Sequence, residues 1–121
     1  MRWTRRVWMM LAAASGFVSV AAGAFAAHGF AQPAAKELMR TGSIYEMTHA
    51  LAALVCGALA DSAPRARFAP AFFLAGSALF SGSLYALAFG APRIVGAVTP
   101  LGGLLFLAGW AMLIWAVSRA R

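Results

Sequence analysis

The sequence predicts an all-α protein, an integral membrane four-helix bundle with its N- and C-termini cytoplasmic. Three observations predict it. Hydrophobic residues make up 63% of the 121 positions and charged residues only 11%. The mean hydropathy is +0.80, and three acids with ten bases cannot cover the surface of a water-soluble domain of this size. Finally, the bases fall between long uncharged runs instead of within them, as they do where lipid surrounds helices that satisfy their own backbone hydrogen bonds.

Four spans follow, at about 7–27, 43–60, 68–90 and 94–117, in a single transmembrane domain. The first, VWMMLAAASGFVSVAAGAFAA, is uncharged throughout, and roughly 20 apolar residues cross the hydrocarbon at the helical rise. Its basic start and AGA or AFA end also fit a signal peptide, but the apolar stretch is about twice a signal core. It is therefore expected to stay in place as a span. The second is shorter, since only 47–60 is uncharged. It crosses if its helix begins near Ser43 and takes Glu46 into the edge of the bilayer. The connection 29–42, with Lys36, Glu37 and Arg40, is expected to be a solvated loop or a short interfacial helix. Residues 68–92 and 94–118 are each uncharged for 25 residues. Arg93 separates them, with Gly90 and Pro92 suited to a tight hairpin. Pro100 marks either a kink or the first turn of the fourth helix.

Charge sets the orientation. Arg2, Arg5, Arg6, Arg65, Arg67, Arg119 and Arg121 fall on one side, and Lys36, Arg40 and Arg93 on the other. The positive-inside rule places the first group, and both termini, in the cytoplasm. Trp3, Trp8 and Trp115 would lie near the inner interface, with Tyr45 and Tyr85 near the outer one. The net charge of +7 does not imply nucleic acid, because the bases are dispersed and the aromatic residues do not interleave with them. One cysteine, Cys56, excludes a disulfide framework.

GAFAAHGF (23–30), YEMTHALAAL (45–54), LFSGSLYALAF (79–89) and GAVTPLGGLLFLAGW (96–110) together resemble the YgdD/YwdK-like family of small bacterial inner-membrane proteins, a domain of unknown function with short eukaryotic relatives. The resemblance covers residues 16 to 115. It implies four transmembrane helices in the bacterial inner membrane and no assigned reaction. One departure stands out: Glu46 occupies a position where family members commonly carry Gln.

With alternating span directions, the polar residues of all four spans are expected to meet in the outer half. They are His28, Tyr45, Glu46, His49, Ser81, Ser83, Tyr85 and Thr99, a candidate polar binding cluster. Glu46 and His49 are i, i+3 neighbours and Tyr45 and His49 are i, i+4 neighbours, so the imidazole can meet either on one helix face. A buried carboxyl must be protonated, hydrated or paired with His49 or Arg93. It either caps the helix and bonds its neighbours or handles a ligand or proton. His28 and His49 at similar depth could bind haem, and with Glu46 a metal. Cys56 reads as a packed thiol. Ser15, Ser19 and Gly23, and Ala78, Gly82 and Ala86, recur every four residues as helix-packing faces.

There is no nucleophile–base arrangement, phosphate loop or pair of carboxylates, so no enzyme is expected. Nor is a cofactor or resident metal. The sequence favours a non-enzymatic inner-membrane protein in lipid or membrane-complex interaction and envelope homeostasis. Its partners would be membrane lipids, with another membrane protein or further copies of the chain as the protein partner. A small transporter or proton pathway through Glu46 and His49, and haem or metal binding through His28 and His49, are the alternatives.

Overall fold

The computed structural model describes residues 3–121, so Arg2 of the charge count lies outside the described residues. The described chain forms four long helices: α1 (Arg5–His28), α2 (Pro33–Leu59), α3 (Ala69–Ala88) and α4 (Thr99–Ser118). Short 3-10 turns, Pro64–Phe68 and Arg93–Ala97, lead into α3 and α4. Each helix packs chiefly on its neighbour in sequence, α1 on α2, α2 on α3 and α3 on α4. Segments Arg5–His28, Pro64–Ala88 and Arg93–Ser118 are long and apolar enough to cross a membrane. Pro33–Leu59 is as long but more polar.

The helix boundaries follow from local chemistry. Gly29 closes α1 by donating its N–H to the Phe25 carbonyl at 2.6 Å. Pro33 opens α2 at a position where its missing N–H costs nothing. Between α3 and α4 the chain turns at Gly90, whose φ of +97° suits glycine alone. The N–H groups of Gly90 and Ala91 bond back to Leu87 and Ala86 at 3.0 Å, satisfying the last carbonyls of α3. Pro100 is the second residue of α4, so it starts that helix and does not kink it.

The expected loop over 29–42 is not what forms. From Pro33 the helix is continuous, because Ala34, Ala35, Lys36, Glu37, Leu38, Met39 and Arg40 are strong helix formers and Met39 buries itself against Ala22 and Ala26 of α1. At about 1.5 Å per residue, α2 runs roughly 40 Å. Glu46 consequently sits at its middle, not in its first two turns.

Small side chains fill the interior. Ala12, Ala52, Ala53, Cys56, Ala69, Phe73 and Ala116 build the core at the end that holds the α2–α3 turn. Cys56 is fully buried there. At the opposite end, Phe25, Phe30 and Phe89 meet at centroid distances of 5.2 to 5.6 Å. In lipid such packing is held by close contact and interhelical hydrogen bonds more than by water exclusion.

The two small-residue stripes fare differently. Ser15, Ser19 and Gly23 face α2: Ser43 donates to the Ser19 carbonyl at 2.7 Å, and a Cβ on Gly23 would lie 2.9 Å from Ser43 Oγ. Ala78, Gly82 and Ala86 do not serve α3 in that way. Ala78 is exposed, Ala86 only half-buried, and a Cβ on Gly82 would meet nothing. The spacing of small residues alone does not say which face a neighbour occupies. On α3 the close approach uses Gly76, opposite Gly102 of α4. Gly82→Ala should therefore leave thermal stability in detergent within about 0.5 kcal/mol of the native protein, a result read from its melting temperature.

Candidate functional site

The buried polar groups form a chain of contacts across the four helices. Glu46, only 8% exposed, lies at the middle of α2. Its Oε2 accepts from the Ser15 hydroxyl of α1 at 2.7 Å, and its Oε1 accepts from the Tyr85 hydroxyl of α3 at 2.7 Å. One carboxyl group thus joins three helices. The Tyr85 ring reaches it by crossing Gly42, where a Cβ would lie 2.6 Å from Tyr85 Cε1. Beside that crossing, Ser81 donates to the Gly42 carbonyl at 2.7 Å.

His49 points elsewhere, toward α4. Its Nδ1 lies 2.6 Å from the Tyr45 carbonyl and its Nε2 lies 3.0 Å from Trp110 Nε1. The indole N–H can only donate and the carbonyl can only accept. His49 is therefore the neutral tautomer with its proton on Nδ1, and both nitrogens are in use. The ring lies flat on Phe106, with centroids 3.6 Å apart and planes at 6°. Tyr45 stands half exposed beside Phe80 at 4.7 Å. It lies mid-helix, away from the helix ends where a belt residue would be expected.

The expected cluster divides accordingly. Tyr45, Glu46, His49, Ser81 and Tyr85 are brought together around the middle of α2. Ser83 and Thr99 form a separate hydroxyl pair at the start of α4. His28 joins neither: it is the exposed last residue of α1. Ser15, level with Glu46, is 13 residues before it in the helix, so His28 lies roughly 20 Å along the axis from that level. His28 and His49 thus do not share a depth, and a site formed by both, for haem or for a metal with Glu46, does not assemble. Of the alternatives for Glu46, pairing with His49 or Arg93 is not what forms among the described residues; its oxygens meet Ser15 and Tyr85. A separation of i, i+3 on a helix leaves the side chains of Glu46 and His49 about 60° apart, enough to send one to α1 and α3 and the other to α4.

Two partners escaped the sequence reading. Ser15, read only as a packing residue, is a hydrogen-bond donor to Glu46. Trp110 supplies the N–H that fixes His49, and its indole is one of two side-chain N–H donors within the α4 run 99–118, Trp115 being the other. Of the two, Trp110 lies nearer the middle of α4, and an indole so placed, with a histidine on another span, was the available signal.

A cleft of about 430 Å³ opens between α1 and α3, walled by Trp8, Leu11 and Leu74, with Ser15 and Glu46 along it. Ser77 also lines it, and its buried hydroxyl has no hydrogen-bond partner. Among the described residues no cation pairs with Glu46; the ion pair present joins Arg5 to Asp61 at 2.9 Å.

A family model described as "Protein of unknown function (DUF423)" matches residues 22–103. The chain belongs to this family. It is 44% identical over 121 residues to a UPF0382 membrane protein of Haemophilus influenzae, covering 94% of this chain and 95% of that protein. It is 39% identical over 123 residues to the UPF0382 inner membrane protein YgdD of Escherichia coli K12, covering 98% and 94%. A UPF0382 membrane protein of Staphylococcus epidermidis is 36% identical over 118 residues, covering 94% and 97%. No solved structure matches. The resemblance drawn from the four sequence stretches therefore holds, and with three membrane-capable helices this member of the DUF423 family is a multi-pass protein of the bacterial inner membrane.

Proposed function

We propose that this DUF423 protein crosses the inner membrane four times, with both termini in the cytoplasm, and acts without catalysis by binding membrane lipid or a larger membrane complex. α2 completes the fourth crossing, since its polar side chains Glu46 and His49 turn inward onto other helices. The orientation follows from charge: Arg5, Arg6, Arg65, Arg67, Arg119 and Arg121 gather at one end against Lys36, Arg40 and Arg93 at the other. The Arg5–Asp61 ion pair and the bond from Arg121 N–H to the Ser62 carbonyl at 3.0 Å support that grouping.

The observation that carries the reading is the commitment of the polar core. Both oxygens of Glu46 are taken by neighbouring helices, and the two nitrogens of His49 by Tyr45 of its own helix and Trp110 of α4, which makes both residues interhelical fastenings. What remains to act is the lipid-facing surface and the two ends. Native mass spectrometry from mild detergent tests this. Masses of protein with retained lipid are expected, unaltered in Glu46→Gln. A resolved haem, metal or discrete small-molecule mass that vanishes in His28→Ala would sink it.

A proton or ion pathway is the second reading. It is favoured by the absence of a cation paired with Glu46 among the described residues and by the cleft that reaches the carboxyl. Proton flux into liposomes, lost in Glu46→Gln, would establish this reading over the first.

A further inference from the structure

The cytoplasmic end carries a cleft of about 430 Å³ lined by Pro64, Arg65, Arg67, Phe68, Arg119 and Arg121. Its four arginines come from two segments more than fifty residues apart in sequence, the 3-10 turn before α3 and the end of α4. No acid lines it. Asp61, the acid in the adjoining turn, is already bonded to Arg5 at 2.9 Å. Four arginines therefore line one small volume with no acidic side chain among them, an arrangement that repels itself unless an anion is near.

The cleft is built, not a chance meeting of loose side chains. The Arg121 N–H bonds the Ser62 carbonyl at 3.0 Å, which pins the end of the chain to the α2–α3 turn. The Arg65 guanidinium lies 5.0 Å above the Trp115 ring, and that of Arg67 lies 4.6 Å above Phe68. Cation–π contact of this kind holds a guanidinium in place while leaving its N–H fork free in the plane. Orientation alone would require only that the bases lie on the cytoplasmic side; it would not require them to converge.

We infer that this cleft is a binding site for a phosphate-bearing anion, presented by the headgroup of an anionic phospholipid in the inner leaflet. Arginine forks match phosphate oxygens in pairs, and four of them suit two phosphates better than one. Phe68 and Trp115, each 43% exposed, stand beside the basic groups and offer apolar surface to acyl chains at the same level. Basic recesses at the cytoplasmic ends of transmembrane helices bind such headgroups. This inference rests on the lipid-binding reading and names its lipid class.

The test is native mass spectrometry of the full chain in detergent with equimolar cardiolipin, phosphatidylglycerol and phosphatidylcholine, repeated with inorganic phosphate and pyrophosphate. Cardiolipin is expected to be retained at least about tenfold over phosphatidylcholine. The R65Q/R67Q/R119Q/R121Q variant should lose that preference while keeping phosphatidylcholine. The R119Q/R121Q pair, which spares both aromatic contacts, should lose part of it and guards against misfolding of the fourfold variant. Displacement of cardiolipin by millimolar phosphate or pyrophosphate would support the phosphate site and make its source soluble. Equal retention of the three lipids, unchanged in both variants, would overturn the arginine site and leave lipid binding standing. Retention of no lipid of any class would overturn the lipid-binding reading as well.

Discussion

Gly102→Leu is expected to separate α3 from α4 and to leave little folded protein in the membrane, with Gly102→Ala a milder version of the same failure. A Cβ at position 102 would fall on the backbone nitrogen of Phe80, and would lie 2.8 Å from the Gly76 carbonyl oxygen. These are backbone atoms of a helix, which cannot swing aside as the end of a long side chain can. The two helices would have to part, and the contacts of Phe73, Phe80 and Phe106 across the same seam would loosen with them. Overpacking of this kind costs about 1–3 kcal/mol for a single methyl group. For a chain of this length that corresponds to a fall of roughly 5–10 °C in the melting temperature of Gly102→Ala. Gly82→Ala, in open space on α3, serves as the control. Equal melting temperatures for the two variants would show that α3 and α4 do not cross at Gly76 and Gly102.

The contrast between Gly102 and Gly82 marks what could be read from the sequence. Four helices, three of them long and apolar enough to cross a membrane, were legible because such runs announce themselves by the absence of charge. The start of α2 was not legible. Lys36, Glu37 and Arg40 resemble a solvated loop by composition, yet their helix propensity and the burial of Met39 against α1 carry the helix back to Pro33. That change of some ten residues moved Glu46 from the edge of its helix to the middle. The residue types of the polar site were visible, and so was the share of it near Glu46 and His49. Its pairing was not, because which of two faces a side chain takes depends on where the neighbouring helices stand. The small-residue stripe of α1 faces a partner and that of α3 does not, for the same reason.

Glu46 gives the sharper prediction about function. Glu46→Leu should lose about 2 kcal/mol, because it strands the hydroxyls of Ser15 and Tyr85 and removes two interhelical hydrogen bonds that in membrane proteins average about 0.6 kcal/mol and reach about 1.7. Glu46→Gln should lose almost nothing. Its amide oxygen can accept from Tyr85, and its amide N–H can donate to Ser15 Oγ once that hydroxyl rotates. The geometry needs two hydrogen-bonding atoms at this point, not a charge, and Gln at this position satisfies it with the same shape. A protein whose carboxyl carried protons or ions would respond otherwise: Glu46→Gln would fold normally and transport nothing. Melting temperature and liposome flux, measured on Glu46→Gln and Glu46→Leu together, therefore separate the two readings. A stable Gln variant with unchanged lipid retention and no lost flux makes Glu46 a fastening between α1, α2 and α3. A stable Gln variant that has lost a flux the native protein shows makes it the working group of a pathway. A Gln variant as unstable as the Leu variant would mean that the charge itself holds the three helices together.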